Sequence, residues 1–243
     1  MELHIVDIET GKSRDIDKML PEFKYSGRAK DPDKKQVLID IAVQKQQFKD
    51  WAAISALTGR VVAIGHLLID NKVNIIGTNE TEEQMLEHFW DTCARIHKAG
   101  VYLVGHNLKM FDLPFLIRRS WKYGIKIYEG IWKNKKWWED QQFADWIIDT
   151  SDLWLMDYGT RYQRFMKDDY VMGKLDKRLK TKWNLDILTK HFNGDPKIFD
   201  GKDFEQMWDN DRATAITYLT NDLLNTKLVA TKMLQIDNYQ MPF

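Results

Sequence analysis

Apolar residues come in short blocks along the chain, and the period inside each block assigns it an element. Leu3-His4-Ile5-Val6-Asp7-Ile8-Glu9-Thr10 is apolar and β-branched and closes on two carboxylates, as a buried strand reaching its end would. Residues 60–69 read as a second buried strand, and Asp70-Asn71 as a tight turn into a third at 72–77, which predicts a hairpin. Over 81–98, Met85, Leu86, Phe89, Cys93 and Ile96 recur at helical spacing; Thr81 and Gln84 stand at capping-box separation, and Gly100 is the stop. Val101–Val104 is a further short strand. Pro114 fits the first turn of a helix that Gly124 ends, and 146–149 reads as the last strand. Helical patterns return at 184–193 and 203–208, and most strongly at 212–234.

Three stretches interrupt this pattern. Residues 11–32 are polar and punctuated by Gly11, Pro21, Gly27 and Pro32, after which Asp31-Pro32 introduces a charged helix at 33–50. Residues 125–145 are aromatic and basic, and 154–182 read as short helices or a mobile flap. The order β, insertion, β, β, α, β, α, β, then helices, predicts an α/β protein with a mixed sheet flanked by helices. No repeat or composition break divides it. The expectation is one domain over 1–243, with a variable insertion at about 11–58 and a flexible basic and aromatic region at about 125–182.

Composition narrows the function only by exclusion. The 243 residues hold 36 Lys and Arg against 36 Asp and Glu, so any nucleic-acid site has to be a local basic patch. A single cysteine, Cys93, excludes an internal disulfide and suits a reducing compartment. No apolar run approaches the roughly 18 residues of a membrane span, and the chain opens without a basic leader, so a cytoplasmic protein is expected. Asn79-Glu80-Thr81 matches a glycosylation sequon but is more simply the start of the 81–98 helix.

Candidate chemistry lies in three places. Asp7 and Glu9 are two residues apart on a strand and share a face. Their mutual repulsion and lost hydration are tolerable if a divalent cation with hard oxygen ligands sits between them; the alternative is a strand whose end reaches solvent. Asp112 follows the Val101–Gly105 strand, where it either returns to the sheet end or merely caps the helix begun at Pro114. Tyr218 and Asp222 share one edge of the last helix beside the apolar stripe Ile216, Leu219 and Leu223; alone, they read as a half-buried tyrosine and a surface aspartate.

In order and chemistry these pieces resemble the DEDD superfamily of 3′–5′ exonucleases on the ribonuclease H-like (DnaQ-like) fold. Asp7-Ile8-Glu9-Thr10 resembles the first motif, Asn107 to Phe111-Asp112 the second, and Tyr218 to Asp222 the third. Thr217 stands where another branch carries histidine, so the likeness is to the tyrosine branch, which includes the proofreading exonuclease domains of family B DNA polymerases. Thr58–Gly65 and Trp183–Phe192, with Lys197 beyond, resemble segments of stand-alone, often phage-borne relatives.

The resemblance implies that Asp7, Glu9, Asp112 and Asp222 hold two Mg²⁺ or Mn²⁺ ions. Asp7 would bridge them, Glu9 and Asp222 would complete the ion that activates water, and Asp112 would serve the other, partly through water. Tyr218 would orient the attacking water, while Ile8, Thr10, Asn107 and Phe111 would hold the terminal nucleotide. It further implies a DNA 3′ end as substrate, a free-standing nuclease, a possible replication-protein partner, and the host cytoplasm for a phage protein. Rival readings are a ribonuclease H-type endonuclease, a catalytically silent binding module of the same fold, and an RNA-directed exonuclease. Asp149, near Asp152, reads as structural or as a support behind the metal ligands. His4, His66 and His106 read as core or strand-end histidines. Trp137 and Trp138, beside Lys133, Lys135 and Lys136, read equally as a base-stacking patch or a docking patch.

Overall fold

The computed structural model describes residues 1–28, 32–134, 136, 142–155, 184–195 and 201–236. The expected flap at 154–182 falls almost wholly outside them, as do Asp31, Lys135, Trp137, Trp138, Trp183 and Lys197.

β1 (Leu3–Lys12) is the central strand, and its alternation builds both layers. Leu3 and Ile5 pack on one face with Leu67, Val104, Leu223 and Ala230. Val6 and Ile8 pack on the other with Ile64, Leu86, Phe89 and Leu103. The sheet has five strands in the order β3-β2-β1-β4-β5. β2 (Gly59–Leu67) and β3 (Val73–Ile76) form the expected hairpin, its turn carrying Asn71 at φ 64°. β4 (Tyr102–Gly105) and β5 (Ile147–Asp149) run parallel to β1, whereas β2 runs antiparallel. The mixed sheet expected from the sequence is the one observed.

The helices α1 (Lys34–Trp51), α2 (Glu82–Lys98), α3 (Leu113–Tyr123), α4 (Thr150–Leu155), α5 (Leu185–His191), α6 (Phe204–Asn210) and α7 (Arg212–Met233) complete the described residues. α2 starts with the predicted capping box, both reciprocal bonds of Thr81 and Gln84 being formed. α2 and α3 cover the Val6/Ile8 face; α6 and α7 cover the other. α1 buries none of its residues.

Two local expectations change, and a third feature is new. β1 runs on through Gly11 and Lys12 into the segment read as polar loop. The Lys12 N–H donates to Glu205 Oε2 (3.0 Å), the Lys12 carbonyl accepts from Arg60 Nε (3.2 Å), and Arg60 pairs with Glu205 at 2.9 Å. These partners, 48 and 193 residues away, prolong the strand. The cap of α1 is Asp33, whose side chain accepts from Gln36 N at 2.7 Å, instead of the Asp31-Pro32 pair. The new feature is a shift of the β1–β2 register between Glu9 and Thr10, so that Glu9 faces Ala63 and Thr10 faces Val61. Val62 is the extra residue of this bulge, beside a candidate metal ligand, where bulges re-aim side chains.

A buried ion pair ties α2, α3 and the sheet together. Arg119 holds Glu82 with two bonds of 2.7 and 2.6 Å, and Glu82 also accepts from Val61 N and Tyr123 Oη, both at 2.8 Å. Burial pushes the Glu82 carboxyl up, but the bonds from Arg119, Val61 and Tyr123 outweigh it and keep it below its usual value. Replacing Arg119 with methionine strands that carboxylate, and about 3–5 kcal/mol of stability should be lost in urea unfolding.

His4 and His66 face each other, Nε2 to Nδ1, at 2.9 Å, in the core-histidine role expected of them. Burial, with the charge of Arg95 behind it, pushes His4 down to about 4; burial, with His4, His88 and Arg95, pushes His66 well below the usual imidazole value. The unfolded chain therefore binds protons near pH 6.5 that the folded chain refuses. Stability should fall as pH drops from about 6.5 toward 4, and His4→Gln should flatten that part of a urea-unfolding pH profile.

Candidate active site

The carboxyl ends of the parallel strands β1, β4 and β5 meet along one edge, where open α/β sheets place their ligands. β1 brings Asp7 and Glu9 there, both on the α7 face. Asp7 lies opposite Gly65 on β2, which has no side chain to hold α7 away. A Cβ added at Gly65 would stand 2.9 Å from both Leu219 Cγ and Leu223 Cδ1. With α7 seated this closely, Tyr218 and Asp222, each one residue before one of those leucines, come down on the β1 carboxylates. One oxygen from each of Asp7, Glu9 and Asp222 lies within 4.8 Å of the others.

Burial settles two of the ambiguities. Tyr218 is 3% exposed and Asp222 2%, so neither is the half-buried or surface residue that α7 alone allowed. Glu9 is buried and Asp7 half-buried, so β1 does not simply run out into solvent. Asp112 makes no capping bond at α3. Its carboxylate accepts instead from Ile8 N at 3.3 Å, between the two β1 carboxylates in sequence. Burial, followed by the charge of Asp7, pushes the Asp112 carboxyl well above its usual value. Asp112 thus adjoins the three-carboxylate cluster without being one of its converging oxygens.

Tyr218 remains a neutral phenol. Burial first, then the charges of Glu9, Asp222 and Asp7 and a hydrogen bond with Asp222, raise its pKa far above the usual phenol value. A Cβ at Gly201 would come 3.1 Å from its hydroxyl, so Gly201 forms one wall of the pocket around that oxygen.

The second-motif loop is shaped by Asp149. Its carboxylate accepts from Asn107 N, Lys109 N and Ser151 N, each at 2.9 Å, in the structural role expected of it. Burial raises the Asp149 carboxyl despite these bonds. Asn107 takes a left-handed turn (φ 60°), which asparagine tolerates better than most residues, and a π-helical turn, Leu108–Asp112, follows. Asn107 is exposed, Phe111 half-buried against Phe115, and Thr10 half-buried on β1. These residues lie along the same edge as the carboxylates. His106 bonds to Thr150 Oγ1 at 2.8 Å and has no oxygen-ligand chemistry to offer.

Sequence reasoning gave no role to Gly65 or Gly201. A glycine inside an apolar strand was the available signal for Gly65, since it marks a close backbone or helix approach. Gly201 had no comparable signal.

Three converging carboxylate oxygens with a fourth carboxylate beside them form an all-oxygen donor set, suited to a hard divalent cation and unsuited to zinc or copper. A central mixed sheet with acidic strand ends closed by a C-terminal helix defines a ribonuclease H-like α/β protein. The family described as "Predicted 3'-5' exonuclease related to the exonuclease domain of PolB" matches residues 44–239, and the chain belongs to it. Its fold is shared with the family B DNA polymerase from the hyperthermophilic archaeon Pyrobaculum calidifontis, with a TM-score of 0.58 at 14% identity. That similarity covers 96% of this chain and 24% of the polymerase chain, so the chain spans about a quarter of its length. Comparison with curated proteins gives no significant match. Among the described residues no helix is long and apolar enough to cross a membrane.

If the seat at Gly65 sets the carboxylate geometry, Gly65→Ala should lift α7. About 1–3 kcal/mol should be lost in urea unfolding, and Mn²⁺ affinity, read by calorimetry, should weaken. Unchanged Mn²⁺ affinity would show that the helix seat does not control the cluster.

Proposed function

We propose that the chain is a metal-dependent 3′–5′ exonuclease of the tyrosine-bearing DEDD branch, acting on DNA 3′ ends and releasing nucleoside 5′-monophosphates. The observation that carries this reading is the convergence of Asp7, Glu9 and Asp222 beneath Tyr218, in a chain of this family. Asp7, Glu9 and Asp222 would hold one divalent cation, and Asp7 with Asp112 a second, Mg²⁺ or Mn²⁺ in both cases. Bound there, such a pair supplies charge stabilisation for the attacking and leaving oxygens and lowers the pKa of water.

The protein's own groups do the rest. Tyr218, held neutral by the carboxylates around it, is a positioning group for the attacking water and not a base. The water oxygen bonds to phosphorus as the bond to the 3′ oxygen breaks, leaving a 3′-hydroxyl on the shortened strand and a nucleoside 5′-monophosphate. Ile8, Thr10, Asn107 and Phe111 would hold the terminal nucleotide. The Ile8 N–H is already engaged by Asp112, so its contribution to that grip would be its position beside the cluster. Asp149 acts through the loop, fixing where Asn107 and Phe111 stand.

Digestion of a 5′-labelled single-stranded DNA oligonucleotide with Mn²⁺, beside an RNA of the same sequence, tests the reading. A metal-dependent ladder should shorten from the 3′ end of the DNA. Asp7→Asn should abolish it and, by relieving repulsion, leave the metal-free protein at least as resistant to heat. Tyr218→Phe should slow cleavage while Mn²⁺ still binds. An Asp7→Asn protein that digests the oligonucleotide at the wild-type rate would overturn the assignment.

A further inference from the structure

α1 spans 18 residues and buries none of them, yet its inner side is fixed in place. Phe48 meets the Phe23 ring edge-on at 6.1 Å, and Gln44 Nε2 donates to the Lys24 carbonyl at 2.8 Å. The Ser26 N–H donates to Asp40 at 2.7 Å, and Lys49 pairs with Asp17. Val37 and Ile41 are half-buried on this side. The outer side carries Leu38, 68% exposed, Ile39, 55%, and Val43, 48%. Helices in water are stabilised mainly by packing an apolar stripe, so a second stripe turned away from the body is a contact surface.

The charges beside the stripe decide what fits it. On a seven-residue repeat, Lys35, Ile39, Ala42, Gln46 and Lys49 form the seam. Leu38 and Lys45 then lie along one flank, and Val43 and Asp50 along the other. In a parallel helix pair, a residue of the first flank meets, in the other helix, the second-flank residue five places further on. Leu38 therefore meets Val43, and Lys45 meets Asp50, each contact made twice by symmetry. Asp50 is exposed for this, held within its own helix by Gln46 Nε2 at 2.7 Å. An antiparallel pair sets each flank against itself, and α1 then offers Lys45 no carboxylate. We propose that α1 pairs in parallel with α1 of a second copy of this chain.

The relief of the surface agrees. A groove of about 410 Å³ runs beside Ile39 and Val43, with Tyr25 and Gly27 as its other wall. It lies on the flank where Leu38 of the second copy arrives, and gives that side chain a hole to enter. Gln46 faces its counterpart on the seam, and a polar seam residue fixes register at a cost in stability. The stems of Lys35 and Lys49 close the ends while their ammonium groups reach water. A seam this short makes a weak, concentration-dependent dimer. The end of α1 leads into the segment whose Trp51 and Leu57 flank Met110 and Phe111. A parallel pair thus sets two second-motif segments at the same end of the dimer.

Sedimentation velocity from about 1 to about 300 µM, a span suited to weak association, should show the mean mass rising from 28.8 kDa toward twice that value. Leu38→Gln with Ile39→Gln keeps good helix formers at exposed sites. This double variant should associate roughly tenfold more weakly or less, with circular dichroism and melting temperature unchanged. Lys45→Glu and Asp50→Lys should each weaken association, and the two together should restore it. Lys35→Cys and Gln46→Cys, in separate proteins, should each cross-link to their own counterpart on mild oxidation, Cys93 being buried. Antiparallel helices cross at one point and cannot bring both sites onto themselves. A chain that stays monomeric over the whole range overturns the inference, as does a dimer indifferent to the Leu38 and Ile39 changes. Charge variants that do not rescue each other, or cross-linking at only one of the two cysteines, overturn it as well.

Discussion

The close approach of α7 to the sheet at Gly65 is the constraint on which the site depends. Leu219 and Leu223 occupy the space a side chain would fill opposite Asp7, and this depth of seating brings Asp222 within 4.8 Å of oxygens from Asp7 and Glu9. The apolar contact and the acidic cluster are one arrangement seen from two sides. Burying Leu219 and Leu223 drives the helix down, and that packing works against the repulsion it creates between carboxylates.

That repulsion is distributed by the surrounding structure. Asp112 is turned away from its own helix terminus and bonded to Ile8 N, so it adjoins the cluster from the β4 side while one oxygen is engaged. Asp149, equally buried, is kept out of the cluster by three backbone N–H groups and spends its bonding on the loop. Two aspartates after neighbouring parallel strands thus take different parts because different donors reach them. Tyr218 is the complement: the carboxylates that would repel a phenolate hold it as a hydrogen-bond donor.

The insertion before β2 fits the same logic. α1 buries nothing, so its sequence is free of core demands, yet the turn after it is anchored by Arg119 to the deepest ion pair in the described structure. A segment indifferent to the core at one end and fixed to it at the other places exposed side chains beside the second motif at little cost to stability.

Much was legible in the residues alone. Alternation along 3–10, the hairpin turn at Asp70-Asn71, the capping box at Thr81 and the helical period of 212–234 are local signals, decided by backbone sterics and side-chain periodicity, and each element formed where it was read. The order of those elements carried the fold class, and the same-face spacing of Asp7 with Glu9 carried the idea of a cation site. What the sequence could not decide was set by distant partners. Glu205 and Arg60 prolong β1, the Val62 bulge resets its register, Ile8 N claims Asp112, and the missing side chain at Gly65 sets how deeply Tyr218 and Asp222 are buried. Periodicity tells which face a residue occupies; only packing decides what lies against that face, and at what distance.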